Sequence, residues 1–206
     1  MPVKRGIFVV FEGLDRSGKS TQVKELANLL KPSVCIAYPN RTTESGKIID
    51  NYLKGHVEKD DKVIHKLFSE NRWEDNATIK NHLLAGTSVI CDRYAFSGVA
   101  FTMGKDIEGV DIDWCKSFDV GLVKPDAVLY LKCDDSENRG GYGTERYENK
   151  VHQEKTAKIF ELLKEDDYWS DVNANGSIEQ VRDRIWTIVK EVKERREAQG
   201  IANLWV

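Results

Sequence analysis

With 206 residues, 40% of them hydrophobic and 32% charged, the chain is long enough for one full α/β core and ordinary in polarity for a soluble protein. Its net charge of −3 argues against a nucleic-acid backbone as the main partner, and its apolar run near the N-terminus, Ile7 to Phe11, is too short for a signal-peptide core or a membrane span. Four cysteines, Cys35, Cys91, Cys115 and Cys133, form no C-x-x-C pair. Three of them, Cys35, Cys91 and Cys133, fall in or beside strand-like runs, where a small buried thiol is expected. A reduced intracellular compartment fits, the cytoplasm with the nucleus as the alternative.

The first element is a β-branched run, Gly6 to Glu12, that reads as a buried strand. Directly after it stands Gly13-Leu14-Asp15-Arg16-Ser17-Gly18-Lys19-Ser20, of the form G-x-x-x-x-G-K-[ST]. A helix follows, marked by Val23, Leu26, Leu29 and Leu30 at helical spacing. A phosphate-binding P-loop needs this context. Gly13 and Gly18 let the backbone enter conformations that a side chain forbids, so that successive N–H groups converge on phosphate oxygens at a helix N-terminus. Lys19, expected to face solvent, then reaches the β- and γ-phosphates, and the Ser20 hydroxyl can bind Mg²⁺.

Further along, Pro32 ends the first helix and Val34 to Tyr38 reads as a second strand. A polar loop, Pro39 to Gly46, leads to a short helical stretch from Lys47 to Leu53. Asp60-Asp61 can cap a long helix whose apolar stripe is Val63, Ile64, Leu67, Phe68, Trp73, Ala77 and Leu84, with Gly86 as its stop. That stripe can pack either on the sheet or on a partner helix. Thr87 to Cys91 is a third strand ending in Asp92-Arg93-Tyr94, and Ala95 to Met103 is helix-compatible. Gly104 to Asp113 reads as a loop, Ala127 to Leu131 as a fourth strand, Asp134 to Thr144 as a charged Gly-rich segment, Tyr147 to Lys164 as a helix and Tyr168 to Ala174 as a weak fifth strand. Ser177 to Gln180 has the capping-box form and opens a last helix through Val181, Ile185, Ile188 and Val192. Strands alternating with helices predict a parallel sheet covered on both faces.

P-loop proteins place a carboxylate near Mg²⁺, usually at the end of another strand, and Asp92 is placed for this role. In an open α/β sheet, ligands bind outside the carboxyl ends of the strands. That edge gathers Asp15, Arg16, Lys19, Arg41, Asp92 and Arg93, and so many arginines suit a second phosphate besides one nucleotide.

The stretches Phe11 to Thr21, Tyr38-Pro39-Asn40-Arg41, Leu67 to Glu74, Asp92 to Phe101 and Glu145-Arg146-Tyr147-Glu148 together resemble the thymidylate kinase (dTMP kinase) family, eukaryotic type. Tyr38 and Asn40 depart from the family pattern, which more often has Phe and Glu there; Arg41 is in place. The resemblance implies a P-loop NTPase domain over residues 1–206: a five-stranded parallel sheet, helices on both faces and a short lid at about 134–146. It implies transfer of the γ-phosphoryl of ATP to dTMP, with Mg²⁺, in a homodimer, without nucleic acid or membrane partners.

The roles it assigns are as follows. Gly13, Asp15, Arg16, Ser17, Gly18, Lys19, Ser20, Thr21 and Arg139 hold ATP, with Ser20 and Asp92 at the metal. Arg41 and Arg93 hold the 5′-phosphate of dTMP. Phe68 stacks on thymine, Arg72 hydrogen-bonds a base carbonyl, and Asp15 accepts from the 3′-hydroxyl. Tyr38, Ser97, Phe101 and Gln153 line the pocket, and Tyr147 crowds out a 2′-hydroxyl. Arg16, Lys19, Asp92 and Arg93 are the catalytic set. Read without the family, Phe68 fits a core position on its helix and Arg72 a solvated charge.

The chemistry asks for no general base, because the second pKa of a phosphate acceptor is about 6 and the acceptor oxygen is already anionic. His56, His65, His82 and His152 therefore take structural or surface readings. Another nucleoside or nucleotide kinase is the alternative enzyme, but a hydroxyl acceptor would call for a carboxylate base and make the double arginine redundant. A GTPase-like switch needs N-K-x-D, and Asn149-Lys150-Val151-His152 lacks the Asp.

Overall fold

A computed structural model of the chain describes residues 4–134, 146–147 and 149–206. The strands β1 (Phe8–Glu12), β2 (Ser33–Ala37), β3 (Ser88–Asp92), β4 (Ala127–Lys132) and β5 (Trp169–Asn173) form one parallel sheet in the order β2-β3-β1-β4-β5. β1 shows why both faces must be covered. Phe8 and Val10 point into one apolar cluster, Val9 and Phe11 into the other, and all four are fully buried. Each such side chain contributes roughly 1.5–3 kcal/mol by leaving water.

Helices α1 (Lys19–Leu29) and α7 (Ile178–Arg196) cover one face with Val23, Leu26, Val181, Ile185 and Val189. The capping box expected at Ser177 and Gln180 is formed at the start of α7. Helices α3 (Asp61–Leu84), α4 (Ala95–Met103) and α6 (Lys150–Leu163) cover the other face, with Ile79, Leu83, Phe96, Val99 and Phe160. Two further helices, α2 (Glu44–Leu53) and α5 (Ile112–Ser117), pack around them. The sequence reading left α5 inside and beyond a loop. With six residues it is too short to show a period, and it is set by Asp111, whose carboxylate accepts from the Trp114 N–H.

α3 departs from its expected stripe. Val63, Trp73 and Leu84 are 47%, 40% and 58% exposed, while His65, Ser69, Asn71 and Arg72 are buried. The middle of this helix turns a polar face inward, toward loops whose backbone groups it satisfies. Cys35 also departs: it is exposed on the edge strand β2, and Cys133 is half-buried, while Cys91 and Cys115 are buried. Among the described residues no helix is long and apolar enough to cross a membrane.

Connections run from β1 outward in both directions, with β3 beside it on one side and β4 on the other. The crevice above this switch point is where an α/β sheet takes its ligand. Phe11 lies in register with Asp92, and the Arg93 N–H donates to the Phe11 carbonyl at 2.9 Å, so the ends of β1 and β3 meet there.

Candidate active site

The loop leaving β1 is shaped by three positions with positive φ. Gly13 has φ 141°, and a Cβ on it would stand 2.7 Å from the Leu131 carbonyl oxygen, so only glycine fits against β4. Arg16 has φ 63° and Gly18 φ 94°; Gly18 caps α1, whose first residues are Lys19, Ser20 and Thr21. Lys19 does not face solvent as expected. It is 5% exposed, and its ammonium donates to the Leu14 carbonyl at 2.7 Å, with Ser17 Oγ at 3.4 Å. The loop wraps its own cation, whose pKa is pushed down to about 8, first by burial and then by the Arg93 charge. Ser20 Oγ donates to Asp92 Oδ2 at 2.5 Å, which brings the hydroxyl of α1 onto the carboxylate of β3.

Arg93 is the hub. It has φ 68°, donates from Nη1 to the Gly13 carbonyl and to Ser97 Oγ, both at 3.1 Å, and pairs with Asp15 through Nη2. Its guanidinium also lies 5.0 Å above the Phe101 ring. Burial would raise the Asp15 carboxyl, but Arg93, Lys19 and a hydrogen bond from Gln153 outweigh it and hold the group below its ordinary value. Glu12, fully buried under Arg93, goes the other way because desolvation dominates. It accepts from the Tyr94 and Ser97 N–H groups and from Ser97 Oγ, which fastens the start of α4 to β1.

Beside this edge lies a cavity of about 200 Å³. Asp15 and Arg93 form the wall it shares with the loop; Tyr38, Pro39 and Arg41 come from the segment after β2, and Phe68 and Arg72 from α3. Ser97, Gly98 and Phe101 of α4, with Tyr147, complete it. Arg41 Nη1 pairs with Asp50 Oδ1 at 2.5 Å. Arg72 is 2% exposed and forks onto Asp119, Nε to Oδ1 at 3.1 Å and Nη2 to Oδ2 at 2.6 Å. Tyr147 stacks on His152 with centroids 5.1 Å apart and packs against Phe101. An anion-binding loop thus adjoins an aromatic, arginine-lined cavity, across one Asp–Arg pair.

A family model described as thymidylate kinase matches residues 11–185. The chain belongs to the thymidylate kinase family. It is 42% identical over 209 residues to a thymidylate kinase of Dictyostelium discoideum, covering 98% of this chain and 93% of that one. To the thymidylate kinase of Homo sapiens it is 41% identical over 213 residues, with 100% of each chain covered. A solved thymidylate kinase structure from Candida albicans superposes with a TM-score of 0.90 at 36% identity, covering 97% of this chain and 98% of that one. Thymidylate kinases are ATP-dependent phosphotransferases acting on dTMP.

Of the residues singled out by the thymidylate kinase resemblance, Asp15, Tyr38, Arg41, Phe68, Arg72, Arg93, Ser97, Phe101 and Tyr147 line the cavity. Gln153 stands behind it: its amide donates to Asp15 Oδ2 at 2.7 Å and to the Tyr147 carbonyl at 2.9 Å. Arg139 and most of the expected lid lie outside the described residues. Arg146 pairs with Glu58 and donates to the Tyr52 carbonyl. Phe68 is half-buried, packed against the Ile49, Tyr52, Leu53 and Ile64 cluster while also lining the cavity, and Arg72 is buried, not the solvated charge its helix position suggests. His65 and His152 are built into packing: His65 bridges Thr102 Oγ1 at 2.8 Å and the Cys115 carbonyl at 3.0 Å, and His152 sits on the Gly104 carbonyl.

Sequence reasoning missed Glu12, Gly98 and Asp119. Gly98 carried a signal, a glycine in the interior of a helix. Asp119 carried none, because its partner is distant in the chain.

Proposed function

We propose that this chain transfers the γ-phosphoryl group of ATP to dTMP, giving dTDP and ADP, with ATP on the loop from Gly13 to Thr21 and dTMP in the adjoining cavity. The observation that carries the reading is the cavity's position: it opens beside the P-loop, shares Asp15 with it, and is joined to it by Arg93, which lines the cavity and bonds Gly13 and Asp15. Two phosphate chains bound at these two places meet end to end, which is what in-line transfer requires.

In this reading Lys19 leaves the Leu14 carbonyl for the phosphates, and Arg16 faces the transferring group. Arg93 and Arg41 hold the 5′-phosphate of dTMP, and Asp15, oriented by Gln153, accepts from the sugar 3′-hydroxyl. Phe68 offers the base its face and Arg72 a donor to a base carbonyl. Tyr38, Ser97 and Phe101 fill the remaining wall, and Tyr147 stands where a 2′-hydroxyl would be. The acceptor oxygen is anionic at neutral pH, so alignment and charge compensation do the chemical task.

The adjacent Ser20 hydroxyl and Asp92 carboxylate are hard oxygen donors that fit Mg²⁺ and would hold it. When bound there, Mg²⁺ offsets charge on the phosphoryl oxygens. Residues 1–206 act as one catalytic domain. The exposed Val63 and Trp73 of α3 support a homodimer, and the buried thiols of Cys91 and Cys115 suit a reducing compartment, the cytoplasm or the nucleus.

The test is ADP release over a panel of nucleoside monophosphates together with thymidine. Turnover should be greatest with dTMP and near background with thymidine. Thymidine used as well as dTMP would overturn the reading, since a hydroxyl acceptor leaves the paired arginines without a purpose.

A further inference from the structure

Arg72 and Asp119 form a fully desolvated ion pair, 2% and 0% exposed, under the wall of the cavity. Stability alone is a poor reason for such a pair, because well-packed apolar side chains of similar volume do as well or better. Its geometry suggests another. The carboxylate takes one edge of the guanidinium, Nε and Nη2, in a fork. Ser69, one helical turn before Arg72, places its Oγ 2.7 Å from Asp119 Oδ1 and so holds the carboxylate as well. The backbone that carries Asp119 is itself fixed: the Leu122 N–H returns to the Asp119 carbonyl at 3.2 Å, and Leu122 in turn accepts from the Leu204 N–H at 2.7 Å.

α4 also passes close to the same guanidinium: a Cβ on Gly98 would stand 2.8 Å from Arg72 Nη2, 3.1 Å from Nη1 and 3.2 Å from Cζ. The guanidinium is thus held by a carboxylate and a bare stretch of helix. The fork to Asp119 and the close pass of α4 both restrict its rotation, and Nη1, which Asp119 does not take, is the donor left for the cavity that Arg72 lines.

We propose that Asp119 is a positioning residue for base recognition: it fixes the plane and the free edge of Arg72, so that a planar base is met by a preset donor. This rests on reading the cavity as the dTMP site. A preset donor loses no rotamer freedom on binding, and a charge-assisted bond to a carbonyl is among the stronger neutral-partner contacts.

The test is a double-mutant cycle read on the affinities for dTMP and for ATP separately. Asp119→Asn keeps the shape but replaces an acceptor with a donor that faces Arg72. It should raise KM for dTMP by about tenfold or more and leave KM for ATP within about twofold. In an Arg72→Met background the same change should add nothing to the dTMP effect, because Asp119 acts through Arg72. Asp119→Glu keeps the charge and the pair but moves the carboxylate; it should shift the dTMP-to-ATP ratio in the same direction, and it decides the matter if Asp119→Asn does not fold. An unchanged KM for dTMP, equal losses for dTMP and ATP, or a full extra penalty on top of Arg72→Met would each sink the proposal while leaving the dTMP site standing. If Arg72→Met itself spares dTMP, the reading of the cavity is what fails, and the positioning role fails with it.

Discussion

The two ends of the site are built by opposite strategies. The phosphate end is made within a few consecutive residues, Gly13 to Ser20, and most of what it offers is backbone: positive φ at Gly13, Arg16 and Gly18 aims the chain, and a helix N-terminus follows. The base end draws on α3, α4, the segment after β2, Tyr147 and, through Asp119, the turn that follows α5. A contiguous loop can be strong because nothing distant must move to form it. An assembled cavity can be selective because each wall comes from a different element and is fixed by its own partner. Substitutions in the loop should therefore act on the rate of transfer, and substitutions in the cavity on which monophosphate is bound.

The largest effect should come from Arg16→Gly. Arg16 stands two residues before Gly18, at φ 63°, so glycine can keep its backbone conformation while the side chain is lost. Charge on the transferring group is greatest in the transition state, so kcat should fall by roughly 10³-fold while KM for ATP changes little. Steady-state kinetics at saturating dTMP measure this. A variant that keeps most of its kcat would move the catalytic arginine elsewhere.

Lys19→Ala comes next. Loss of one preorganised donor at a phosphate should lower kcat by roughly 10²- to 10³-fold, with the fold retained as judged by the thermal midpoint. Activity within about tenfold of the parent would remove Lys19 from the phosphates.

How legible each end was follows from this contrast. G-x-x-x-x-G-K-[ST] between a strand and a helix is a local pattern, and Asp92 at a strand end follows from sheet topology. The parallel sheet followed from strands alternating with helices. Arg72 and Phe68 were legible only through family resemblance, since their local context reads as an ordinary helix. Asp119, Glu12 and Gly98 matter through contacts across the fold that no local period records. The burial of Lys19 was missed because the loop's carbonyls, which turn back on the ammonium, leave no mark in the sequence. Val63 and Trp73 stayed open between the sheet and a partner helix, because an apolar stripe does not say which surface covers it.

Gly98→Ala sharpens the contrast from the cavity side. The added methyl would sit 2.8 Å from a guanidinium that Asp119 pins, so either α4 shifts or Arg72 leaves its carboxylate. Overpacking of this kind costs about 1–3 kcal/mol of stability. KM for dTMP should rise by about tenfold, with ATP unaffected; an equal loss for both substrates would mean that α4 had moved as a body and disturbed Ser97 and Arg93 too.

The smallest effect is a pH dependence that should separate the two ends without any substitution. The Lys19 pKa stands at about 8 instead of its ordinary 10.5, because burial and Arg93 disfavour the ammonium. The folded protein therefore gives up this proton before the unfolded chain does, and from this group stability rises with pH between about 8 and 10.5. Phosphate binding works in the opposite sense, since only the ammonium serves a phosphate. Below about pH 8 it is present and ATP affinity is flat; above that, binding must first restore the proton. Between pH 7 and pH 9 the ATP Kd should weaken by about tenfold, accompanied by proton uptake measurable by calorimetry in buffers of different ionisation enthalpy. The dTMP Kd should stay level over the same range. Its contacts are arginines that stay charged, and its phosphate, with a second pKa of about 6, is already dianionic throughout. Lys19→Arg keeps its charge at every pH and should flatten the ATP curve. Parallel drift of both affinities would show instead that the whole site titrates as one unit, and the division into a backbone-built phosphate end and an assembled base end would lose its energetic meaning.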